Sequence, residues 1–368
     1  MAGGVIMKRA ALCAAAGAFF TLAACGGNEG DTNTTGNNNS GENNEMEETA
    51  EENAEESDNE EENINAAENN EPDEEADNEE EAASDEEGSF PITITDDAGN
   101  EVTIEEEPES FVTLQPSETE ILFELGAGDR LVGVDEFSNY PEEAAEIETV
   151  GAQDMDAERI LQLEPDVIFV SDYHQNSFPE VLDQYRDNGS HVVVTANPTT
   201  FDGTFEAIEE IGTISGRTEE AEELVTSMQE ELDELRSIGE SIPEEERKTV
   251  WVEVAPSPEI FTTGQGTFMH DMLEVVGAEN AAAEYEGWVE VTEEEILVLE
   301  PDTILTTYGY YVDDPQAEVT GRDGWGDVPA VADEDIHDVD ADMVTRAGPR
   351  LVDGTRLVGE AVYPDAFE

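Results

Sequence analysis

From Pro91 onward, short runs rich in Val, Ile and Phe alternate with stretches whose apolar residues recur every three or four positions. The β-type runs are Phe111–Leu114, Leu131–Val134, Asp166–Val170, His191–Thr195, Val250–Val254, Asp302–Thr306 and Ile336–Val339. Helical patterns separate many of them, as at Glu118–Leu125 and Ala157–Leu163. Alternation of this kind predicts an α/β chain with mostly parallel sheets. Between the halves, Ala221, Leu224, Val225, Met228, Leu232, Leu235 and Ile238 keep helical spacing, with Thr218 as the expected cap and Glu219 and Glu220 in the first turn. A helix of that length spans roughly 30 Å. That is long enough to reach from one lobe to another, although packing along one lobe satisfies the same pattern; as a single rigid connector it predicts limited hinge motion.

The chain repeats itself. Residues 158–170 read Glu-Arg-Ile-Leu-Gln-Leu-Glu-Pro-Asp-Val-Ile-Phe-Val, and residues 294–306 read Glu-Glu-Ile-Leu-Val-Leu-Glu-Pro-Asp-Thr-Ile-Leu-Thr. Each is preceded by a second echo, Ile121-Leu122-Phe123-Glu124-Leu125-Gly126-Ala127 and Met272-Leu273-Glu274-Val275-Val276-Gly277-Ala278. Two echoes in the same order favour duplication of a lobe over chance likeness. The expected organisation is an N-terminal α/β lobe at 91–202, a connecting helical region at 203–247 and a C-terminal α/β lobe at 248–368.

Composition changes the picture before Pro91. Residues 26–90 carry 26 Asp or Glu, no Lys or Arg, and almost no large apolar residue. Such a segment is expected to be disordered and extended by its own charge. Ahead of it, Lys8 and Arg9 precede an apolar run from Ala10 to Ala24, which has the length of a signal-peptide core. The run ends in Leu22-Ala23-Ala24-Cys25-Gly26, which looks like a bacterial lipobox. Residues 1–24 therefore read as a lipoprotein signal peptide, and 25–90 as a lipidated Cys25 plus an acidic tether. That arrangement places the protein outside the cytoplasm, anchored to the cell membrane. The other cysteine, Cys13, lies within the signal, which excludes disulfides and Cys metal sites from the remainder. A formal net charge of −83 excludes nucleic-acid partners and leaves the lipid anchor as the only membrane attachment.

Leu114-Gln115-Pro116-Ser117-Glu118-Thr119-Glu120-Ile121-Leu122, running on through Leu125-Gly126-Ala127-Gly128-Asp129-Arg130-Leu131-Val132-Gly133-Val134, resembles the opening of a known family. That family is the metal-chelate binding lipoproteins of bacterial ABC importers, which carry iron–siderophores, haem or vitamin B12. Asn139-Tyr140-Pro141, Val150-Gly151, Glu164-Pro165-Asp166, Phe261-Thr262-Thr263-Gly264, Leu273 through Gly277 and Arg346-Ala347-Gly348-Pro349-Arg350 continue the likeness, from about Ile92 to Phe367. The resemblance implies two Rossmann-like lobes joined by a single long α-helix, with the ligand cleft between them. It implies a monomer that captures a ferric siderophore or a corrinoid and delivers it to an ABC permease and its ATPase. It also implies that Glu158 and Glu294, at matching places in the two repeats, dock onto permease arginines. The only tryptophans are Trp251, Trp288 and Trp325, fewer than the vitamin B12 branch leads one to expect, whereas Asn139-Tyr140-Pro141 resembles that branch. The ligand therefore stays open between siderophore and corrinoid.

Ligand residues are expected on loops at strand ends facing the cleft. Pro116 and Ser117 precede a helix whose free N–H groups suit an anionic chelate, although Ser117 serves equally well as a cap. Tyr140, Tyr173 and His174 lie in loops of the first half, and Trp288, Tyr308, Tyr310 and Tyr311 in the second. Aromatic faces suit a large, partly apolar chelate, and each ring is individually as well suited to a core. The run Thr307–Tyr311 is hard to bury whole and is favoured as cleft lining. By its place in the family pattern Arg346 is assigned to the ligand and Arg350 to structure. His174, His191, His270 and His337 show no metal-binding spacing, so no metal site and no resident cofactor are expected. The chain has no G-x-S-x-G, H-E-x-x-H or P-loop and no assignable catalytic residue. The alternatives are a two-lobed α/β surface enzyme acting on a chelate or small molecule, and a surface interaction protein working through its acidic tail.

Residues 91–368 hold 70 acids against 11 bases. Self-repulsion at that density weakens the compact state, and salt screens it. The melting temperature is expected to rise between about 0.1 and about 1 M salt; a flat profile in differential scanning calorimetry contradicts this.

Overall fold

The computed structural model describes residues 90–367. The expected signal peptide, Cys25 and the expected acidic tether up to residue 89 lie outside the described residues. The N-terminal lobe starts with an antiparallel hairpin, β1 (Ile92–Thr95) and β2 (Glu101–Ile104). There follow β3 (Phe111–Thr113), α1 (Pro116–Glu124), β4 (Leu131–Gly133), α2 (Ala157–Leu163), β5 (Val167–Ser171), α3 (Asp172–Ser177), α4 (Pro179–Asp187) and β6 (His191–Thr195). Helices α5 (Phe201–Ser215) and α6 (Thr218–Glu240) come next. The C-terminal lobe runs through β7 (Thr249–Glu253), β8 (Ile260–Thr263), α7 (Phe268–Val275), β9 (Glu279–Asn280), β10 (Trp288–Val291), α8 (Glu293–Leu299) and β11 (Thr303–Thr306). It closes with α9 (Pro315–Thr320), α10 (Pro329–Ala332), β12 (Ile336–Asp338), α11 (Ala341–Thr345), α12 (Leu351–Val362) and α13 (Pro364–Phe367).

Both main sheets are parallel and have the same strand order. The first is β4-β3-β5-β6 and the second β9-β7-β11-β12. The seven β-type runs all became strands. The pattern missed the hairpin β1–β2, the ribbon β8–β10 and the two-residue β9, which are too short or too polar to stand out.

The repeat is a structural one. Asp156 and Thr292 cap α2 and α8, accepting from Arg159 N and Glu295 N. Both helices end on a Glu in the left-handed region, Glu164 (φ 47°) and Glu300 (φ 45°). The aspartates of the two Glu-Pro-Asp turns then accept a backbone N–H at the start of the matching sheet strand: Asp166 from Ser110, just before β3, and Asp302 from Thr249, which opens β7. The upstream echoes match as well. Gly126 and Gly277 have φ of 71° and 77°, and each hands on to a 2.8 Å bond, Ala127 N to Leu122 O and Ala278 N to Leu273 O.

Alternate residues of the central strands face different cores. Val167 and Phe169 of β5 join the largest cluster, while Ile168 and Val170 face the outer helices of their lobe. In β7, Val250 and Val252 join the same large cluster and Trp251 turns outward. That cluster continues through Ala221, Val225, Met228, Leu232 and Leu235 of α6 into α7 and α12, so both lobes share one core. At the end of α6 the backbones meet: a Cβ on Gly239 would lie 2.2 Å from Val275 O. Two details differ from expectation. The helical region breaks at Gly216 (φ 67°) into α5 and α6. Thr218 is therefore the first helical residue and Arg217 the cap.

Candidate functional site

Helix α1 starts two residues earlier than the expected Glu118, because Pro116 occupies the first helical position and Gln115 the cap. Ser117 is consequently inside the first turn and does not cap. The carboxylate of Glu118 folds back over that turn, accepting from Leu114 N and Gln115 N at 3.2 Å each, and from Gln115 Nε2 at 3.1 Å. Thr195 Oγ1 donates to it from β6. A carboxylate already sits where the helix N-terminus was expected to receive an anionic chelate. Burial lifts Glu118 to about 7, against the opposing pull of its hydrogen bonds.

Two residues further on, the side chain of Glu120 is 2% exposed and meets two guanidinium groups from the other lobe. Arg350 grips it bidentately, Nε to Oε2 at 2.9 Å and Nη2 to Oε1 at 2.7 Å. Arg346 Nη1 donates to Glu120 Oε1 and to Asn139 Oδ1, each at 2.9 Å. Its Nη2 donates to Phe137 O at 3.2 Å and lies 2.7 Å from Asp342 Oδ1. Asn139 Nδ2 closes the ring onto Asp342 Oδ2 at 2.9 Å. Arg346, expected at the ligand, is thus as fully engaged within the protein as Arg350.

The loop from β4 to α2 and the loop after β11 bring aromatic rings to this cluster. Tyr140 lies beneath Arg350, with the guanidinium carbon 4.0 Å from the ring centroid. Phe137 is tied by its carbonyl to Arg346 and by its N–H to Asp135 at 2.6 Å. Asp135 is fully buried, and burial lifts it to about 6. From the other lobe, Tyr310 stands close enough to Asp342 for that carboxylate, after burial, to hold its phenol above the ordinary value. Tyr311 packs edge-on against Tyr310 at 4.6 Å.

The remaining sequence candidates separate from this group. Tyr308 is fully buried, which corrects its placement as cleft lining. Its hydroxyl donates to Glu253 Oε1 at 2.8 Å and lies 3.1 Å from Glu318 Oε2. Arg322 pairs with both carboxylates beneath it and stacks on Trp325. The network anchors the root of the loop whose tip carries Tyr310 and Tyr311. His174 is buried, with Nδ1 2.9 Å from Ser171 Oγ and Nε2 2.9 Å from Ala152 O, and burial lowers its pKa. Tyr173 packs edge-on against His174 and Phe178. Trp288 opens β10 on the β8–β10 ribbon. Glu120, Phe137, Asn139 and Asp342 were not singled out from sequence; the i, i+4 spacing of Arg346 and Arg350 was the available sign that two cations converge on one acid.

A cavity of about 270 Å³ lies at the α1 N-terminus. Gln115, Ser117, Glu118, Glu206 and Glu210 line it from the N-terminal side, and Ala347 from the C-terminal lobe. Burial, with Asp97 and Asp96 nearby, lifts Glu210 to about 7. Among the described residues, no group of three His, Cys, Asp or Glu side chains is placed to hold a metal ion. Glu158 and Glu294 are exposed in the first turns of α2 and α8.

Comparison with known proteins places this geometry. A family model described as periplasmic binding protein matches residues 111–343. The chain is 39% identical, over 76% of its length and 88% of the relative's, to an uncharacterized ABC transporter substrate-binding lipoprotein, YvrC, of Bacillus subtilis (strain 168). It is 29% identical to a vitamin B12-binding protein of Pectobacterium carotovorum, over 67% of this chain and 85% of that one. A crystal structure of a possible iron-binding, periplasmic solute-binding protein from Staphylococcus epidermidis aligns with a TM-score of 0.62 and 31% identity, covering 70% of this chain and 100% of that one.

The raised carboxyls give a signed pH dependence. Glu118 and Asp135 bind protons in the folded state at pH values where the unfolded chain has lost them. Their contribution is full below the ordinary carboxylate range and disappears as pH rises through about 6 to about 7. Glu118→Gln removes one such group, on the order of 3 kcal/mol of pH-dependent stability. Denaturant unfolding from about pH 5 to about pH 8 is expected to give a shallower loss for the variant than for the wild type; an identical slope contradicts the assignment.

Proposed function

This chain belongs to the periplasmic binding protein family, and on that premise we propose that it captures a metal chelate of the ferric-siderophore or corrinoid type between its lobes. It is a substrate-binding protein of an ABC importer, and such proteins work with a permease and its ATPase. The single observation behind the ligand reading is the set of exposed rings at the lobe seam. Only five large hydrophobic side chains are exposed among the described residues, and four of them are Phe137 (44%), Tyr140 (42%), Tyr310 (64%) and Tyr311 (53%). Two come from each lobe. Apolar faces concentrated in this way mark a binding surface, and rings on both sides suit a bulky chelate that keeps its own metal. Relatives named for vitamin B12 and iron support the same class. The cleft binds and releases without turnover.

Glu158 and Glu294 are the docking carboxylates, one on each repeat, facing a permease with matching basic pockets. One chain already supplies the matched pair, so the protein acts as a monomer; light scattering on the purified chain checks that mass. Cys25 carries the lipid that holds the protein at the outer face of the membrane.

Three outcomes are expected. Phe137→Ala with Tyr310→Ala weakens chelate binding, followed by fluorescence titration, by at least about tenfold, or ~1.4 kcal/mol; unchanged affinity refutes the aromatic site. Glu158→Ala with Glu294→Ala spares affinity and greatly reduces uptake in cells with the cognate permease; normal uptake at matched surface levels removes the docking role. Cys25→Ala moves the protein from the membrane to the soluble fraction; retention on the membrane with a cleaved signal argues against the anchor.

A further inference from the structure

The bases at the seam are spent. Arg346 uses both Nη atoms twice, on Glu120, Asn139, Phe137 O and Asp342. Arg350 spends Nε and Nη2 on Glu120 and its face on Tyr140. Two guanidinium groups against the carboxylates of Glu120 and Asp342 make a formally neutral cluster. Around it the unmatched charge is negative: Asp340 also acts on Arg350, and Asp338 accepts from Gly309 N beside the Tyr310 loop. At the α1 N-terminus, the cavity is lined by Asp97, Glu118, Glu206 and Glu210 and by no Lys, Arg or His. That helix N-terminus is filled by the Glu118 carboxylate.

From this geometry we infer that the cleft selects neutral or cationic chelates, such as a corrinoid fringed by amides or a ferric trihydroxamate with a free amine, and rejects polyanionic ones. The inference rests on the reading that the seam is the chelate site. A carboxylate-rich or catecholate ligand needs an uncommitted cation, and here it meets none. Freeing Arg346 or Arg350 leaves Glu120, whose side chain is almost completely buried, with one guanidinium in place of two, and an under-matched buried charge is costly. An amide fringe has no such need: its N–H groups donate to the surplus carboxylates, and its hydrophobic body lies on the rings.

The test uses the full-length chain and matched pairs of chelates. One pair is a corrinoid with its amides intact and the same corrinoid with several amides hydrolysed to carboxylates. The other is a ferric trihydroxamate with a free amine and the same chelate capped as its succinate. Within whichever pair binds, the neutral or cationic member is expected to be held at least about 100-fold tighter. That preference persists at about 1 M salt, where the Debye length is ~3 Å and remote surface charge is screened. Asp342→Asn, and separately Glu206→Gln with Glu210→Gln, narrow the preference by about tenfold; the second keeps the test standing if the first fails to fold. Glu222→Gln with Glu223→Gln and Glu230→Gln removes as much charge or more from the exposed side of α6 and leaves the preference unchanged. Equal affinity for both members of a pair in the wild type overturns the charge inference and leaves the chelate site intact. A shift from the α6 variant as large as from the Asp342 or the Glu206–Glu210 variant overturns it too, by making the effect one of overall charge. If no member of either pair binds, the seam is not a chelate site and the inference falls with that reading.

Discussion

A buried carboxylate has to be matched, and Glu120 of α1 finds its match only in the opposite lobe. Taking an acid and two guanidinium groups out of water costs several kcal/mol for each ion, and bidentate geometry returns that energy only while all three stay in place. Removing one partner from such a group costs about 3–5 kcal/mol. The requirement spreads outward from Glu120. Arg350 in its place stacks on Tyr140, and Arg346 in its place holds Phe137 O, Asn139 and Asp342. The aromatic wall of the N-terminal lobe is thereby set against a fixed point in the C-terminal one.

That fixed point is tenable because the lobes do not move freely. Helix α6 carries Ala221, Val225, Met228, Leu232 and Leu235 through a core that includes both parallel sheets, and the close approach of Gly239 to Gly277 locks its far end against the end of α7. Ligand capture in this frame relies on a surface arranged in advance, which reduces the ordering cost of binding. The Glu253–Arg322–Glu318 network under Tyr308 does for the opposite wall what Asp135 does for the Phe137 loop: it holds the root of a loop and leaves the tip exposed.

The parts of this arrangement that were legible in the sequence are those written locally. Strand and helix alternation, the Glu-Pro-Asp turns, the two Gly-Ala helix ends and the caps at Asp156 and Thr292 each depend on residues a few positions apart. The helix starts at Pro116 and Thr218 were misjudged because the competing signals, a proline at the first helical position and a left-handed glycine at Gly216, outrank a hydroxyl cap. The site was only half legible. That an aromatic run follows β11 is plain from sequence, but which of its rings is buried depends on Glu253, 55 residues away from Tyr308. That Arg346 is occupied depends on Glu120, 226 residues away. No spacing within either segment announces such a partner.

The central claim is that a chelate lies between the paired rings of the two lobes while both arginines stay on Glu120. A crystal structure of the chain with a bound amide-fringed corrinoid or ferric hydroxamate addresses it directly. The account predicts the chelate against Phe137 and Tyr140 on one side and Tyr310 and Tyr311 on the other, with Arg346 and Arg350 still in contact with the Glu120 carboxylate. A chelate seated away from these rings, or an arginine swung off Glu120 onto the ligand, would contradict it.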